Sequence, residues 1–559
     1  MASPSSQLDP GKPPPRGAPL DGAGSRDAPP SPWAAFHHRD FSVIWTATLV
    51  SNIGGWMYSA SSGWLMTTLD ADPLMVSLVQ VAASLPLFLF ALPAGALADI
   101  LDRRRFLICA EVYIAAAGLL FAIFVSLNLI TPTTLLLFVL LIETGAAATS
   151  PAWQAIVSQL VPRQDLPSAI AINSVGVNIS RALGPALGGL LTAILGIAAP
   201  FWINAFSNFG TISALAWWRA PRERSHLPAE RFMSAMRTGV RYARYNHHLR
   251  ATLVRAIAFF LFASCYWALL PVVTRSQIGG GARLYGFLLG VIGASAIAGA
   301  FALPRLKAKL GPNRVVAAGS AATAVALVLF GLSRQPGTAI AACVIAGASW
   351  IAVLANLNVS AQLALPEWVR GRGLAIYVTA FFGAMTLGSA LWGQVARMAG
   401  TPLTHFLAAA GALLAIPLTW RWKLHSAAGV DLSPSSQWPA PIVSPDVPVD
   451  AGPALVTIEY RIDTANREPF LRALERLSRE RRRDGAYAWG AFEDTAEPCR
   501  YVETFLVESW LEHLRQHERV THADRVLQDH VNRYLTMPAK TTHLISAHAR
   551  SNRDEDPRS

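Results

Sequence analysis

The chain consists mostly of apolar stretches of roughly 20 residues, each long enough to cross the ~30 Å hydrocarbon core of a bilayer as an α-helix. Charged residues make up 15% of the sequence, against about 25% in a soluble domain, and this shortfall indicates that much of the surface faces lipid. We predict an all-α membrane protein with twelve spans in two six-helix halves. The predicted spans are residues 41–69, 74–98, 106–127, 133–158, 168–195, 199–218, 251–274, 284–303, 314–333, 337–362, 374–398 and 402–422.

The second group of apolar stretches repeats the first at one fixed offset along the chain. Gly95 returns as Gly299, and the offset is 204 residues (299 − 95 = 204). The same offset relates Pro162 to Pro366, Ala171 to Ala375, and the pair Gly184 and Gly189 to Gly388 and Gly393. One offset at separated places indicates an internal duplication, by which many transporters build a substrate site near the middle of the bilayer.

Basic residues concentrate in every second turn between the predicted spans. The basic turns hold Arg103 to Arg105, Arg163, the arginines of residues 219–250, the basic residues from Arg305 to Arg314, and Arg370 with Arg372. The turns between them hold Arg275, Arg283, Arg334 and Arg397. The positive-inside rule then predicts a multi-pass protein of the cell (inner) membrane with both termini in the cytoplasm. The net charge of +12 is therefore a topology signal, and we expect no nucleic-acid partner.

Composition divides the chain into seven segments. Residues 1–35 are rich in Pro, Gly and Ser and are predicted to be a disordered cytoplasmic N-terminus. The halves are residues 36–218 and 251–424, and the basic cytoplasmic linker between them, 219–250, fits either a helix on the membrane surface or a solvated segment. Residues 425–453 are a second linker, 454–547 a separate domain and 548–559 a tail. The four cysteines are scattered and suggest neither a disulfide framework nor a metal site.

The region 454–547 has a pattern of its own. Residues 455–462, 487–492, 500–507 and 541–545 alternate like strands, whereas 469–483 and 509–535 have helical spacing. This βαββαβ order predicts an α+β ferredoxin-like domain, and a homodimer through its sheet is one expectation. His513 and His517 share one helix face, but no cysteine or acidic partner completes a metal site. A dimer or docking surface is favoured, and neither a metal nor a cofactor is predicted.

The turn after the second span combines Gly95, Asp99 and the run Arg103, Arg104 and Arg105. Gly95 lets two helices approach closely. Asp99, at the inner end of its helix, can pair with an arginine and face the positive N-terminus of another helix. The five residues predict an openable latch between the halves, the alternative being an ordinary basic turn. The repeat has Leu303 where Asp99 stands, so its latch is expected to be weaker.

The fifth span carries the pattern Gly184-Pro185-x-x-Gly188-Gly189, with Ser180 four residues before Gly184. Small residues at this spacing let helices touch along one face, and Pro185 adds a bend. The pattern resembles the antiporter signature of proton-coupled drug exporters, just as the Gly95–Arg105 turn resembles the loop signature of the major facilitator superfamily. The resemblance ties this helix to export, and generic close packing is the alternative.

The membrane part as a whole resembles the exporter branch of that superfamily that includes the enterobactin exporter and the transmembrane secretion effectors. The resemblance covers about residues 35–550, because many members also carry a similar cytoplasmic domain of the dimeric α/β-barrel, monooxygenase-like type. The residues that carry it are Pro151 to Val157, Leu160 to Arg163, Ala171 to Ser174, Arg181 with Gly184 and Pro185, and Gly371 to Gly373. It implies export of small siderophore-like or drug-like molecules driven by protons.

Charges inside membrane spans are costly, so each is a functional candidate. Glu143 in the fourth span is the candidate proton carrier and Arg181 its candidate partner, while a fixed structural ion pair is the alternative. In this fold the substrate cavity is expected among spans 1, 4, 7 and 10. The cavity candidates, for which packing or lipid-facing roles stay open, are Asn52, Trp56, Trp153, Gln154, Tyr266, Trp267, Asn356 and Asn358.

Three functions compete at this point. The first is a proton-coupled exporter that works by alternating access, with a small molecule, protons and the lipid bilayer as its partners. The second is a membrane-tethered enzyme with a monooxygenase-like C-terminal domain, and the third is an importer or uniporter. No nucleotide loop, His box or nucleophile triad appears in the sequence, so we predict that the chain is not an enzyme and not an ATP-driven pump. The fifth span favours export, by family analogy alone.

Overall fold

The computed structural model describes residues 33–100, 102–162, 164–219, 232–424, 435 and 451–547. The first group of long helices is α1 (Arg39–Leu69), α2 (Pro73–Ile100), α3 (Arg103–Ser126), α4 (Pro132–Leu160), α5 (Leu166–Leu195) and α6 (Ala199–Trp217). A shorter helix, α7 (Phe232–Tyr245), lies in the region predicted as a linker. The second group is α8 (His247–Val272), α9 (Ala282–Leu332), α10 (Pro336–Leu363), α11 (Arg370–Ala399) and α12 (Thr401–Thr419).

The helix bounds repeat with the offset seen in the sequence. Helices α4 and α10 begin 204 residues apart (336 − 132 = 204), and so do α5 and α11 (370 − 166 = 204), which also end 204 residues apart (399 − 195 = 204). Gly196 and Gly400 follow these two helices with φ of +91° and +81°, a backbone region that favours glycine. The duplication therefore extends from the sequence to the positions where helices begin and turn.

Helix α9 contains two of the predicted spans, 284–303 and 314–333. Its helical range is interrupted at Gly311, where φ is +72° and ψ is 165°. Glycine tolerates this left-handed conformation without a Cβ penalty, and Pro312 then starts the next turn without needing an amide hydrogen. The two predicted spans thus lie on either side of a glycine-proline break.

Eight helices of the described part of the chain are long and apolar enough to cross a membrane. They are α2, α3, α4, α8, α9, α10, α11 and α12. Helix α9 accounts for two predicted spans, and the remaining predicted spans coincide with α1, α5 and α6. The protein is thus mostly helical with many apolar spans, and the total of twelve stays a prediction.

Some segment boundaries differ from those predicted. The predicted disordered N-terminus runs to residue 35, but Ala34–His37 form a 3-10 helix in which Ala34 and Ala35 are buried. The next residue, His38, contacts Asp165 at 2.8 Å, which ties this segment to α5. Helix α8 begins at His247, four residues before the predicted second half. Residues 1–32, most of the 425–453 linker and the 548–559 tail lie outside the described residues.

The C-terminal region forms a four-stranded antiparallel sheet covered by helices. Its elements are β1 (Ala454–Arg461), α13 (Arg467–Arg483), β2 (Tyr487–Glu493), β3 (Arg500–Val507), α14 (Trp510–Arg519), α15 (His522–Asn532) and β4 (Lys540–Ile545). The strand order is β2-β3-β1-β4. Ala454 in β1 lies opposite Val507 in β3 and Ile545 in β4. Side chains alternate between buried and half-buried along β1 and β3, so one face of the sheet packs on a separate core that includes Phe470, Leu474 and Val531.

One element of this region was predicted wrongly. Residues 509–535 were expected to form a single helix, but α14 ends at Arg519 and Val520 is extended (φ −61°, ψ 123°). Thr521 then starts α15 with a capping box in which its hydroxyl and the Asp524 carboxylate each bind the other's backbone amide. This reciprocal cap outweighs the continuous helical spacing of the apolar residues.

Candidate functional site

The two helical halves meet through contacts that concentrate at one end of the bundle. We call the end with Arg103–Arg105 the basic end, and the end with Asp72, Arg275 and Arg397 the far end. Helix α2 runs from the far end to the basic end, whereas α1, α5 and α11 begin at the basic end. The most extensive contacts between the halves join α2 to α11 and α5 to α9.

Glycines bring α5 and α9 together at backbone distance in the far half of the bundle. A Cβ built on Gly189 would lie 2.5 Å from the Ala282 carbonyl oxygen and 2.8 Å from the Gly286 Cα. One built on Gly293 would lie 2.7 Å from the Ala182 Cα. Such close approach is what small residues permit between membrane helices.

The other candidate residues of the predicted antiporter-like helix face α1. A Cβ on Gly184 would collide with the Trp56 Cβ, and one on Gly188 would lie 3.1 Å from the Met57 Cα. Pro185 is buried within α5, and its carbonyl oxygen lies 2.6 Å from a Cβ built on Gly286. Helix α5 thus presents glycines to α1 in its own half and to α9 in the other half.

Helices α2 and α11 make the second contact between the halves. The Ser84 and Thr386 hydroxyl oxygens are 2.8 Å apart in a buried hydrogen bond. A Cβ on Gly393 would lie 2.6 Å from the Ser77 Cβ, closer to the far end. Toward the basic end, the contact extends to Phe88, against which Gly383 packs. The shared hydroxyl bond lies about halfway along both helices.

Polar and aromatic side chains close the far end itself. Arg275 donates to the Thr67 hydroxyl at 3.4 Å and lies 6.0 Å from the Trp64 ring centroid. Trp64 stacks on Tyr285 of the other half, with centroids 5.9 Å apart. Arg397 pairs with Asp72 at 3.4 Å. Sequence reasoning used these two arginines only as markers of the outer turns, because their partners lie in the opposite half.

The hydrophobic cores also differ between the far end and the basic end. One large apolar cluster contains residues of both halves, including Phe121 and Leu288. A second cluster, which includes Phe41, Leu107 and Trp218, belongs entirely to the basic end of the first half. The halves therefore share a core toward the far end, while the first half keeps its own core at the basic end.

The structure describes the predicted latch in part. Gly95 and Asp99 lie in the last turns of α2, and their side chains lie outside what is described. Asp102 accepts the Arg105 amide hydrogen at 2.8 Å and so starts α3. Arg104 donates to the carbonyl oxygens of Leu215 and Ala216 in α6, at 2.9 and 2.6 Å. These bonds complete the end of α6 within the same half.

The two candidates for proton coupling do not form the predicted ion pair among the described residues. The Arg181 guanidinium lies 5.4 Å from the Trp56 ring centroid in a cation–π contact, and its Nε atom is buried without a hydrogen bond. Glu143 is half-buried in α4. Arg181 as the partner of Glu143 therefore stays a prediction, and in this structure an aromatic ring of α1 contacts the arginine.

The predicted cavity residues have different surroundings in the two halves. Trp153 donates to the Glu111 carboxylate at 3.1 Å, so it is tied to α3. Asn52 and Trp56 are half-buried in α1, and Gln154 is exposed. The Asn356 side chain is buried, and its Nδ2 donates to the Ala352 carbonyl oxygen of its own helix at 2.7 Å.

Aromatic packing dominates the candidates of the second half. Tyr266 is fully buried and stacks on Phe330. Trp267 packs on Trp350 with centroids 5.3 Å apart, and Asn358 is half-buried. Trp350 also lies against Phe381, a position that sequence reasoning missed because it lies outside the four spans considered. The candidates of this half therefore belong to a packed aromatic cluster.

The C-terminal domain contacts the membrane unit through α7. Glu512 lies 3.5 Å from Arg241 and 2.6 Å from Arg519 of its own helix. The Arg519 guanidinium lies 4.3 Å from the ring centroid of Trp368, in the Glu367–Val369 turn before α11. Arg483 lies over the Tyr242 ring at 5.4 Å. These contacts attach the domain to the linker and to the basic end of the second half.

Helix α7 is itself anchored to the membrane unit. Asn246, which caps α8, donates to the Ala364 carbonyl at 3.0 Å and to the Tyr242 hydroxyl at 3.0 Å. Tyr242 is fully buried and meets Trp368 edge-to-face, with centroids 5.7 Å apart. Gly239 packs against Arg372 at the start of α11. Residues 232–245 are thus helical, as in the first of the two alternatives for this linker, and the helix packs on the membrane unit.

Taken together, repeated helical halves joined by glycine-rich contacts at one end are the architecture of a multi-pass membrane protein built from an internal duplication. The family model described as transmembrane secretion effector matches residues 30–552. The chain belongs to this family of the major facilitator superfamily.

Relatives with assigned roles are transporters, several of them of the efflux type. The staphyloferrin A transporter of Staphylococcus aureus is 23% identical over 46% of this chain and 65% of its own length. The multidrug efflux pump Tap of Mycolicibacterium fortuitum is 23% identical over 66% of this chain and 91% of the pump. The enterobactin exporter EntS of Escherichia coli is 24% identical over 68% and 90%. The chain spans only 60–65% of the full length of three relatives. They include the staphyloferrin A transporter and the macrolide efflux protein A of Streptococcus pyogenes.

Solved structures resemble the membrane unit in fold. The nucleoside transporter NupG superposes with a TM-score of 0.58 at 10% identity, over 69% of this chain and 100% of that one. The POT family transporter PepTSo superposes with a TM-score of 0.56 at 13% identity, over 69% and 97%. At such identities the likeness shows the fold alone.

Proposed function

We propose that the protein is a proton-coupled exporter of small organic molecules that works by alternating access. The observation that carries the proposal is the contact of α5 with α9 and of α2 with α11 toward the far end, with glycine at backbone distance. Halves joined at one end and separable at the other are what alternating access requires. The predicted topology, with the basic end and both termini in the cytoplasm, makes this an inward-facing arrangement of twelve spans.

Export is supported by the roles of the relatives. A macrolide efflux protein, a multidrug efflux pump and a siderophore exporter are all similar to this chain. The aromatic surface formed by Trp267, Trp350 and Phe381 suits planar or amphipathic ligands. We therefore take drug-like and siderophore-like molecules as the substrate class, and import as the competing direction.

Glu143 is the proposed proton carrier, without Arg181. It is the carboxylate of α4, and it has no ion pair among the described residues. A carboxylate without a fixed counter-ion can release its proton when its surroundings change between states. Arg181, stacked on Trp56 at mid-bundle, is instead proposed to contact anionic parts of a substrate.

Transport into inside-out membrane vesicles tests the direction and the coupling together. Vesicles with an acidic lumen should accumulate a macrolide or enterobactin probe if the protein exports it in exchange for protons. Glu143→Gln should abolish this uptake, whereas Asp40→Asn, on an exposed carboxylate of α1, should leave it unchanged. Uptake by the Glu143→Gln variant that still follows the pH gradient would exclude Glu143 as the carrier, and probe movement down its own gradient alone would favour a uniporter.

The C-terminal domain is proposed to modulate the membrane unit and to carry any dimer contact. It is attached through Arg241, Tyr242 and Trp368 at the basic end. The two edge strands of its sheet, β2 and β4, expose Phe492 and Leu544, and an exposed strand edge can pair with a second copy. The mass of the detergent-solubilised protein by light scattering, with and without residues 454–547, tests the dimer.

A further inference from the structure

We propose that His513, His517 and His543 bind a divalent transition-metal ion in the C-terminal domain. The ligand atoms of the three side chains all lie within 4.8 Å of one another. The Nε2 atoms of His513 and His517 are 3.2 Å apart. Two nitrogens on one tetrahedral Zn²⁺ at ~2.0–2.1 Å are separated by about 3.3 Å. The pair on α14 is therefore already at the spacing of two ligands of one ion.

Two structural elements position the three rings. His513 and His517 stand four residues apart on α14, which places them on one helix face. His543 lies in β4 opposite Val456 of β1, and its ring centroid is 4.8 Å from that of His513. Trp510 packs against both rings, at 5.3 Å from His513 and 5.8 Å from His543. A ligand set on a helix and a sheet is held more rigidly than one on loops.

The hydrogen bonding of His513 leaves the nitrogen that faces the other rings available. Its Nδ1 atom lies 3.1 Å from the Gln516 side-chain oxygen. When Nδ1–H donates to this oxygen, the Nε2 lone pair points toward His517. Metal-bound histidines usually donate their other ring nitrogen in this way.

The three rings line a cavity of about 540 Å³ between the sheet and the helices, a size typical of small-molecule sites. Phe505 and Ile458 form part of its apolar wall, and Arg481 adds a cation. Three histidines would leave one tetrahedral position open, as in catalytic zinc sites, and the adjoining cavity has room for a further ligand. Arg481 is already paired with the Glu503 carboxylate at 3.6 Å. The ligand class is therefore set by the metal and is a small molecule with an oxygen donor, such as a carboxylate or a phenolate.

The competing explanation is that the rings pack as aromatic side chains with a histidine–histidine hydrogen bond. Metal titration of the full-length protein in detergent, after treatment with a chelator, separates the two. With Zn²⁺ alone, we expect about one ion per chain by elemental analysis. His513→Ala and His543→Ala should lose this ion, and His530→Ala, a half-buried histidine of α15 away from the site, should retain it. Gln516→Ala should weaken binding about 10–100-fold.

Cobalt provides a readout that does not depend on any variant folding correctly. Co²⁺ added to the wild-type protein should give the intense visible absorption of a tetrahedral site, and equimolar Zn²⁺ should remove it. No such absorption in the wild type, or equal Zn²⁺ content in wild type, His513→Ala and His543→Ala, would overturn the proposal. Neither result would bear on export, because the transport assay uses the membrane cavity.

Discussion

Gly189→Ala should shift the population from the state in which the far end is closed toward the state in which it is open. The added methyl group would lie 2.5 Å from the Ala282 carbonyl oxygen, whereas ordinary contact begins at 3.4 Å. The deficit is 0.9 Å (3.4 − 2.5), and the opposing atoms belong to the backbone, so α5 and α9 must move apart. Overpacking of this kind costs about 1–3 kcal/mol. In the proposed cycle this contact breaks when the far end opens, so the closed state should lose roughly 5–150-fold in population relative to the open state.

Gly210→Ala is the matched control. It makes the same change in α6, where nothing lies within 4 Å of the added methyl group, so any gain in helix propensity is common to both variants. Spin labels on Ala71→Cys and Gly281→Cys, both exposed at the far end, report the separation of the halves by pulsed electron paramagnetic resonance in a background without Cys109 and Cys499. Gly189→Ala should enrich the long distance. An unchanged distance distribution would refute the gating role of this contact.

Three further predictions concern charged groups. Asp99→Asn should strongly reduce transport at normal expression, and near-normal efflux would argue against a latch. Glu143→Gln should retain substrate exchange between equal pools while losing pH-driven efflux; loss of both would instead indicate a damaged cavity. Burial, with a further contribution from Asp524 and Asp484, raises the pKa of Glu480 from 4.5 to about 7 although Arg483 pairs with it. Its stabilisation is therefore complete below about pH 4.5 and is lost as the pH rises through about 7. Glu480→Gln should therefore raise the melting temperature at about pH 8 more than at about pH 5, unlike the exposed Glu475→Gln; equal shifts at both pH values would contradict this.

Helix positions could be predicted because hydrophobicity and turn chemistry are local properties. The 204-residue offset, read from matched residues such as Gly95 and Gly299, reappears in helix bounds and in the positive φ of Gly196 and Gly400. The split of the last helical stretch into α14 and α15 was missed, since apolar spacing continues through Val520 and Thr521. The signal was nevertheless present, because Thr521 and Asp524 form a capping-box pair.

Site residues were predicted less well because their partners are distant in the sequence. Arg181 was assigned to a carboxylate on electrostatic grounds, yet its neighbour is the ring of Trp56. The histidines of α14 were recognised as a pair, but His543, 26 residues beyond His517 (543 − 517 = 26), joins them through strand pairing. Arg275 and Arg397 likewise meet partners more than 200 residues away. Periodicity carries no information about such contacts.

The attachment of the C-terminal domain to α7 and Trp368 has a mechanical consequence. Both anchor points belong to the second half or to the linker packed on it, so the domain travels with one half when the halves rock. When one half rotates by a small angle, a domain fixed to it is displaced by a distance that increases with its separation from the rotation axis. In the proposed mechanism the position of the C-terminal domain would therefore follow the rocking of the halves, and a molecule that held the domain in place would slow the cycle.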